Sequence, residues 1–470
     1  MKTDVVIVGG GVSGLAVAYD LQRRGHDVVV LERQRTPGGN AISEHLGGFL
    51  MEHGPSTVNA AMPVAVDLTR ALGLDRGRCD LGDEVRRRYL VGGGWLRGIS
   101  IGPLGFLTSG YLSRAARLRM LAEFAIPRRS EGAEETVAAF CTRRFGREFA
   151  ERVIDPLVAG IYGGRASELS VSAVFPKLTE LEREYGSISL GLVRRYRQNR
   201  RMPGRRLFSW RRGIATLPRA LVRRLDKAVR TGVTVRRITP CAGGYRIDVG
   251  DAGSLSADAV VIATQPHVAA QLLEAPDPAA AAAAGGIQAP PLAVVFLGFA
   301  RRDVSHPLDS LGFLTPEDEG RSLLGAQFQS TMFPGRAPDG HVAVAGYFGG
   351  ARTPHFAHLS AADLIALARE EFRDLIGARR DPVVANVRHW PVGIPQYKIG
   401  HRGLVEQLNA ANRRRPGLFI TGNYFAGPSV AACLTVADGT AAEVGAYLAR
   451  NRRVVAAPLG RLDNLLKAHI

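Results

Sequence analysis

A glycine turn between two apolar runs constrains the fold of this chain more than any other feature. Residues 5–8 are apolar, residues 9–14 read Gly-Gly-Gly-Val-Ser-Gly, residues 15–24 have a helical pattern, and residues 28–31 are apolar again before Glu32. Strand, glycine turn, helix, strand and acid in this order form a dinucleotide-binding βαβ unit. Gly9 permits the turn, Gly11 lets the backbone approach a pyrophosphate, and Gly14 lets the helix pack closely on the strand.

This order of elements predicts a nucleotide site at the start of the helix. The pyrophosphate would bind the free N–H groups at the helix N-terminus, and Glu32 would accept hydrogen bonds from the ribose hydroxyls. A glycine-rich turn without a ligand is the alternative, which the complete strand–turn–helix–strand context disfavours. The residues assigned to the cofactor here are Gly9, Gly11, Val12, Ser13, Gly14 and Glu32.

A second glycine pair follows the acid and distinguishes between dinucleotides. Residues 33–40 read Arg-Gln-Arg-Thr-Pro-Gly-Gly-Asn. A glycine pair directly behind the acidic strand is typical of FAD enzymes, in which this loop reaches the ribityl and pyrophosphate region, and simple NAD-binding Rossmann domains lack it. We therefore predict FAD as the cofactor, bound also by Arg33, Gly38, Gly39 and Asn40.

Length and composition limit the other functional classes. The 470 residues, 46% of them hydrophobic, suffice for two or three domains with ample cores. The first strand starts at residue 3 or 4, so we expect no signal peptide, and the longest apolar stretch, residues 279–297, is interrupted by Gly and Pro pairs. Four cysteines lie far apart without CxxC spacing, which favours a reducing cytoplasm and argues against a structural zinc site. No metal site is predicted.

The formal charge of +18 is concentrated in one segment. Between Arg194 and Arg212 there are nine arginines and no acidic residue, interleaved with Tyr196, Phe208 and Trp210. Nucleic acid is disfavoured as a partner because the sequence contains no nucleic-acid-binding module. A solvated basic face, an anionic substrate, and an anionic lipid surface with the aromatic side chains at its interface remain open. The lipid alternative would place the protein peripherally on the inner face of the cell membrane.

Three separated segments are expected to build one FAD-binding domain. A helix is predicted at residues 217–225, strands at 233–235, 245–249 and 257–264, and a C-terminal strand at 418–422 before a helix at about 433–450. The predicted fold is α/β, with a Rossmann-like FAD domain of glutathione-reductase and amine-oxidase type (1–75, 213–275 and 405–450). A mostly helical basic insertion (76–212), an α+β substrate domain (276–404) and a tail (451–470) complete the chain.

Two segments of the insertions carry a more specific pattern. Residues 155–164 read Asp-Pro-Leu-Val-Ala-Gly-Ile-Tyr-Gly-Gly, residues 390–401 read Trp-Pro-Val-Gly-Ile-Pro-Gln-Tyr-Lys-Ile-Gly-His, and residues 328–338 fit as well. These segments resemble the oxygen-dependent protoporphyrinogen and coproporphyrinogen oxidases of haem synthesis, within the flavin amine oxidase superfamily. The resemblance covers nearly the whole chain in consistent order. It implies dehydrogenation of a porphyrinogen in three two-electron steps, with O2 as electron acceptor and H2O2 as product.

Other functions stay open beside this one. A relative of these oxidases could act on another polycyclic, pyrrolic or amine substrate in specialised metabolism, whereas a flavoprotein without turnover is disfavoured by the intact glycine motif. The family places an Arg for a substrate propionate after a Leu-Pro-x-Gly turn. Here that turn lacks its Pro and the position reads Pro103 or Leu104, so Arg97 is the candidate replacement. A homodimer also stays open as an assembly.

The resemblance implies roles for individual residues. Leu314 and Phe328 map onto apolar walls that clamp the macrocycle, and Gly160 maps onto a glycine whose backbone reaches the pyrrole N–H groups, so that a side chain there would obstruct the slot. No acid–base constellation stands out, and Tyr397, Lys398 and His401 are candidates weighed against a structural role. The family's Arg behind the second glycine pair is Asn40 here, a departure that bears on one phosphate contact and leaves the predicted fold intact. Further residues assigned to the FAD site are Gly54, Pro55, Val235, Ala263, Trp390, Gly422, Asn423 and Val430.

Overall fold

The strands of this computed structural model, which describes residues 2–100, 105–129, 132–199 and 207–456, fall into two large sheets and two small ones. In chain order they are β1 (Lys2–Val8), β2 (Val28–Glu32), β3 (Ser43–Leu46), β4 (Phe49–Glu52), β5 (Val58–Asn59), β6 (Arg78–Asp80), β7 (Arg87–Gly92), β8 (Trp95–Ser100), β9 (Leu207–Trp210), β10 (Val229–Thr231), β11 (Arg237–Cys241), β12 (Gly244–Asp248), β13 (Ser254–Ile262), β14 (Leu292–Ala300), β15 (Ser310–Leu314), β16 (Leu323–Gln327), β17 (His341–Gly349), β18 (Val384–Trp390) and β19 (Leu418–Ile420).

Some helices cover the faces of these sheets, and α3 to α10 form a helical layer between β8 and β9 in the chain. They are α1 (Val12–Arg23), α2 (Pro63–Ala71), α3 (Gly105–Thr108), α4 (Arg114–Leu121), α5 (Val137–Phe145), α6 (Arg147–Phe149), α7 (Asp155–Tyr162), α8 (Val171–Val174), α9 (Pro176–Tyr185), α10 (Ile188–Asn199), α11 (Thr216–Leu225), α12 (Pro266–Leu273), α13 (Pro278–Gly285), α14 (Gln329–Met332), α15 (Ala361–Ile376), α16 (His401–Asn409), α17 (Ala411–Arg414) and α18 (Val430–Ala456). A single π-helical turn, Ala150–Ile154, joins α6 to α7.

The first large sheet carries the glycine motif at its centre. Its order is β10-β2-β1-β13-β12-β11, and β13 pairs with β12 through its first half and with β19 through its second. Strand β1 therefore lies between β2 and β13, both parallel to it, and the crossover directions diverge at its carboxyl end. Ligands of open α/β sheets bind at such a switch point. Apolar side chains of this sheet alternate between two cores, one under α1, α11 and α18 and one under α12 and α13.

The returning elements of this domain were predicted from the sequence, and all but one lie where expected. The strands at 245–249, 257–264 and 418–422 correspond to β12, β13 and β19, and the helices at 217–225 and 433–450 correspond to α11 and α18. The strand expected at residues 233–235 is wrong in position, because the edge strand β10 ends at Thr231 and pairs there with Glu32. Helix α18 extends past the predicted boundary at residue 451, and residues 457–470 lie outside the described part.

The second large sheet has the order β18-β14-β17-β16-β15-β7-β8. All its neighbours are antiparallel except the pair β15–β7. Residues 76–212 were expected to be mostly helical, and the structure differs at both ends of that range. Strands β7 and β8 form a hairpin through Gly93 and Gly94, both at positive φ, and extend this sheet, while β6 and β9 join β5 in a three-stranded sheet. The helical layer lies between α3 and α10.

The helical layer has its own core and a buried ion pair. Val137, Phe140, Leu169 and other apolar residues of α5 to α10 pack together, and Tyr397 of the substrate domain completes this core. Arg144 pairs with Glu123 at 2.5 Å with neither side chain exposed. Glu123 also accepts hydrogen bonds from the N–H groups that begin α10, which fixes that helix against the turn after α4. None of the helices in the described ranges is long and apolar enough to cross a membrane.

Candidate active site

Each glycine of the first turn is required for a different steric reason. A Cβ on Gly9 would lie 2.7 Å from the carbonyl oxygen of Ala263, and a Cβ on Gly14 would lie closer than 3.0 Å to the carbonyl oxygen of Gly9. Neither position therefore has room for a side chain. Ala263, which the sequence assigned to the FAD site, lies directly beside the turn. A Cβ on Gly11 would meet only the Cα of Gly39, at 3.9 Å. Open space in front of Gly11, at the uncapped N-terminus of α1, is what a bound pyrophosphate needs.

The second glycine pair packs against the first turn. The N–H of Gly38 donates to the carbonyl oxygen of Gly10 at 2.8 Å, and a Cβ on Gly39 would lie 3.1 Å from the Cα of Gly11. Gly38 and Gly39 have φ of 130° and 59°, which only glycine adopts without strain. The two glycine motifs, residues 9–14 and 38–39, thus form one surface, which we call the cofactor cradle. Asn40 continues it, because its carbonyl oxygen occupies the space that a side chain on Gly54 would need.

The acid at the end of β2 faces the turn. Glu32 Oε2 accepts a hydrogen bond from the N–H of Gly10 and Oε1 accepts one from the N–H of Gln34, both at 2.7 Å. The carboxylate is half-buried beside the cradle, where ribose hydroxyls could reach it. Arg33 is exposed next to it, and the segment that contains Val235 begins at Val233, whose N–H donates to the carbonyl oxygen of Glu32 at 3.0 Å.

The opposite edge of the cradle comes from β19 and α18. The N–H of Thr421 donates to the carbonyl oxygen of Ile262 at 2.9 Å, which brings Gly422 and Asn423 next to the carboxyl end of β13. The hydroxyls of Thr421 and Thr264 are buried without a protein partner in the described ranges. Unpartnered buried hydroxyls are costly unless a ligand or water satisfies them. The open glycine turn and these hydroxyls together fit the polar chain of FAD, with Val430 at the first turn of α18.

Helix α7 packs closely against the second sheet at Gly160. A Cβ on Gly160 would lie well inside 3.0 Å of Leu314 Cδ2, so the structure brings these two predicted residues into direct contact. Next to this contact, apolar side chains of α7, three strands and the following loop pack together: Ala159, Leu292, Leu324, Trp390 and Ile394. We call these residues, together with Gly160 and Leu314, the slot. The indole N–H of Trp390 donates to the carbonyl oxygen of His53 at 2.8 Å. This bond links the slot to the Gly54–Pro55 edge of the cofactor cradle.

Four residues of this slot were missed by the sequence analysis. Leu292, Leu324 and Ile394 are apolar residues in or beside strands, and Ala159 precedes the predicted Gly160 on α7. Nothing in their type distinguishes them from ordinary core residues. The one available signal was the position of Ala159 and Ile394 inside the two segments that carry the family resemblance.

Phe328 does not face Leu314, which corrects the predicted clamp. Phe328 is fully buried in the core on the other face of the sheet, where its ring lies 5.8 Å from His306 and 6.0 Å from Phe313. Leu314 follows Phe313 in β15, and successive strand residues point to opposite faces. The two side chains therefore lie on opposite sides of the sheet, and Phe328 supports the core.

Arg97 lies on the same face as Leu314 but two strands away. Its cross-strand partner in β7 is Leu90, whose partner in β15 is Leu314. Two strand spacings amount to about 10 Å. The Arg97 side chain is exposed, and its Nε donates to the carbonyl oxygen of Gly92 at 3.2 Å. The alternative positions 103 and 104 lie outside the described residues.

The three acid–base candidates differ in their surroundings. Lys398 is about 40% exposed and pairs with Glu168 at 2.7 Å, which ties it to the surface of the helical layer. Tyr397 and His401 are buried, and both donate hydrogen bonds to backbone carbonyls after β19. Burial raises the pKa of the Tyr397 phenol well above its usual value and lowers the pKa of His401. Both side chains are therefore neutral near pH 7.

The arginine-rich segment is divided between surface and core. Tyr196 on α10 is exposed, whereas Phe208 and Trp210 of β9 are buried in the core beneath α1. The expectation that all three aromatic side chains face a lipid interface is therefore wrong for Phe208 and Trp210, because β9 pairs with β5 and β6 inside the FAD domain. Residues 200–206, with four of the nine arginines, lie outside the described part.

Comparison with known proteins places these features in a family. The sequence matches the family model of flavin containing amine oxidoreductases over residues 12–444. It is 30% identical to protoporphyrinogen oxidase 1, chloroplastic, of Arabidopsis thaliana, across 96% of this chain and 89% of the relative. It is 30% identical to coproporphyrinogen III oxidase of Propionibacterium freudenreichii subsp. freudenreichii, across 94% of this chain and 90% of the relative. A crystal structure from Exiguobacterium sp. 255-15 shares the fold, with a TM-score of 0.82, 22% identity, and coverage of 94% of this chain and 98% of that one.

Proposed function

The chain belongs to the family of flavin containing amine oxidoreductases, its cofactor is FAD, and we propose that it oxidises a porphyrinogen, either protoporphyrinogen IX or coproporphyrinogen III. The observation that carries this proposal is the contact between Gly160 and Leu314, two residues that the family resemblance assigns to the macrocycle site. The names of relatives that align along nearly the whole chain support the same substrate class.

The slot residues bind and orient the macrocycle. Each two-electron step removes a hydride from a meso carbon and a proton from a pyrrole nitrogen, and three steps give the porphyrin. FAD held by the glycine cradle would supply the hydride-accepting group, and O2, reduced to H2O2, would be the final electron acceptor. The carbonyl of Gly160 lies in the last turn of α7 and accepts no backbone hydrogen bond from the described residues. It can therefore accept one from a pyrrole N–H, while Leu314, Leu324 and Leu292 exclude water from the reacting carbon.

Anaerobic mixing of the purified holoprotein with each porphyrinogen tests this function. We expect the flavin absorbance to bleach with at least one of the two substrates and to return on admission of O2, with H2O2 formed in step. A flavin that stays oxidised with both would refute the porphyrinogen assignment. In that case the same assay with polycyclic, pyrrolic and amine substrates tests the alternative oxidase. A preparation that cannot be reconstituted with FAD would refute every oxidase function.

We further propose that the helical layer docks on an anionic membrane surface. Leu118, Leu121 and Phe124, on α4 and the turn after it, are exposed by 68%, 54% and 63%. The exposed apolar residues of α10 are Leu190, Leu192, Val193 and Tyr196. Glu123 holds the two elements together through its bonds to the start of α10. We call these seven exposed residues the apolar patch. Exposed arginines such as Arg114 and Arg197 flank it, and basic residues beside apolar ones favour anionic lipid.

Co-sedimentation with vesicles tests the docking surface. We expect binding to vesicles that contain phosphatidylglycerol, weaker binding to vesicles of phosphatidylcholine alone, and a loss of binding with added salt. The double variant Leu118→Ser/Phe124→Ser should bind less. The variant Val383→Ser, which changes a similarly exposed apolar residue directly before β18, should bind as the unaltered protein does. Equal binding by all three proteins, or binding that salt does not change, would contradict the proposal.

A further inference from the structure

Two buried side chains hold consecutive backbone carbonyls in the turn after β19. The hydroxyl of Tyr397 donates to the carbonyl oxygen of Asn423, and Nε2 of His401 lies 2.8 Å from the carbonyl oxygen of Tyr424. A carbonyl only accepts, so Nε2 carries the imidazole proton in this arrangement. Tyr397 is 1% exposed and His401 2%. The two rings pack together with centroids 4.5 Å apart.

These bonds fix the direction of the N–H groups in the same turn. In a trans peptide the C=O and N–H of one unit point in opposite directions. With the Asn423 carbonyl turned toward Tyr397, the N–H of Tyr424 points the other way. Within the described residues, the N–H groups of Gly422, Asn423 and Tyr424 donate to no protein acceptor. The N–H of Tyr424 therefore lies on the side of the turn away from the Tyr397 hydroxyl. The carbonyl held by His401 shares its peptide unit with the N–H of Phe425, which donates to the carbonyl oxygen of Gly422 at 3.5 Å and closes the turn. The turn directly follows Thr421, whose buried hydroxyl has no protein partner in the described ranges.

The side chains that hold the turn are themselves firmly supported. The carbonyl oxygen of Tyr397 accepts a hydrogen bond from the N–H of Ser170 at 2.8 Å, and the ring of Tyr162 packs edge-on against Tyr397 at 5.5 Å. Glu134 accepts a hydrogen bond from the N–H of Gly400, directly before His401, at 2.7 Å. Tyr162 belongs to α7, which also carries Gly160. The support for the turn thus extends from the substrate slot to the cofactor cradle.

We propose that Tyr397 and His401 are positioning residues, which hold the N–H donors of the Gly422–Tyr424 turn toward FAD and take no proton from the substrate. Fixed donors that contact a flavin favour its more negatively charged, reduced form, because they need no reorganisation when charge arrives. The inference rests on the FAD cofactor named above and is independent of which substrate the enzyme oxidises.

Four variants separate positioning from acid–base catalysis. Tyr397→Phe and His401→Leu remove the donors to the turn, whereas His401→Gln keeps an N–H in its place. Tyr245→Phe is the matched control, since the Tyr245 hydroxyl is buried and donates to the carbonyls of Arg415 and Pro416, away from the cradle. The measurements are the dissociation constant of FAD, the reduction potential of the bound flavin, and the pH profile of kcat.

We expect Tyr397→Phe and His401→Leu to bind FAD about tenfold more weakly, as the loss of one buried hydrogen bond predicts, and to lower the reduction potential. His401→Gln should remain close to the unaltered protein with the same pH profile, and Tyr245→Phe should change neither quantity. Unaltered FAD binding and potential in Tyr397→Phe and His401→Leu would overturn the proposal. So would loss of one limb of the pH profile in His401→Gln with normal FAD binding. An unaltered protein that binds FAD but is reduced by neither porphyrinogen would refute the proposed substrate and leave this inference intact.

Discussion

Replacement of Gly160 by alanine should lower kcat/KM while it leaves the free energy of unfolding nearly unchanged. The new Cβ would fall inside 3.0 Å of Leu314 Cδ2, while Leu314 Cγ and Cδ1 would lie at 3.6 and 3.8 Å. Only the end of one flexible side chain must therefore move, at a cost of about 0.5–1.5 kcal/mol for an unfavourable rotamer. Alanine in place of glycine in a helix returns up to about 1 kcal/mol. The free energy of unfolding should thus change by less than about 1 kcal/mol.

The effect of Gly160→Ala on catalysis should be much larger. The added methyl group and the displaced leucine should raise the free energy of the transition state by about 1–3 kcal/mol, which is comparable to the cost of overpacking a core. That energy corresponds to a drop of about 5- to 150-fold in kcat/KM. Porphyrin fluorescence gives kcat/KM, and urea denaturation gives the free energy of unfolding.

Two further variants control this prediction. Gly439→Ala, at an exposed position of α18 where a Cβ meets nothing within 4 Å, should leave kcat/KM unchanged. Gly160→Ala combined with Leu314→Ala should recover part of the lost kcat/KM, because the smaller residue makes room for the methyl group. If Gly160→Ala kept full activity, or if adding Leu314→Ala gave no recovery, these two residues would not line the substrate site.

Three other variants address a second buried ion pair, between Glu52 and Arg336, and the two exposed candidates Lys398 and Arg97. Burial raises the pKa of Glu52 to about 7 beside Arg336, 2.9 Å away. Arg336→Met should raise that pKa further and cost about 3–5 kcal/mol of unfolding free energy at pH 8. The cost should be smaller at pH 6, where the folded state keeps the proton, as urea denaturation at both pH values would show. Lys398→Met should not change the rate at which O2 reoxidises the reduced flavin, as measured by stopped flow, because Lys398 forms an ion pair with Glu168 at the surface. Arg97→Ala should raise KM for a carboxylated porphyrinogen and leave kcat unchanged, since an exposed guanidinium binds the ground and transition states alike.

Each of these three predictions has a clear contradicting result. An equal stability loss at both pH values would show that the carboxyl does not take up a proton when Arg336 is lost. Slow reoxidation in Lys398→Met would indicate a role for the ammonium group in the reaction with O2. An unchanged KM in Arg97→Ala would reject Arg97 as the replacement for the missing family Arg.

The cofactor cradle was predictable because its chemistry is local. Gly9, Gly11 and Gly14 lie within one turn, and their spacing reports the backbone geometry that a pyrophosphate requires. The returning strand β13 could also be predicted, since a continuous apolar run that ends in small residues is typical of a buried parallel strand. The edge strand β10 was misplaced, because an exposed edge strand has no such pattern.

The walls of the slot were harder to predict because they depend on which face of a sheet a residue occupies. Phe328 follows β16, and the pairing of β16 with β17 shifts register between Leu323 and Gly325. A bulge of this kind reverses the alternation of faces along the strand. Leu323 consequently packs in the core with Phe328, while Leu324 faces the slot. Counting residues along the sequence does not reveal the bulge.

The position of β1 between β2 and β13 has a consequence for how the chain acquires its cofactor during synthesis. The glycine turn leaves the ribosome first, but the strand beside it arrives some 250 residues later, and α18, which packs on α1, arrives last. Because domains generally fold as units once their segments are available, a nascent chain that ends inside the helical layer lacks β13, β19 and α18, and we expect it not to retain FAD. Flavin retention therefore reports that synthesis has reached α18, and truncated chains should emerge colourless.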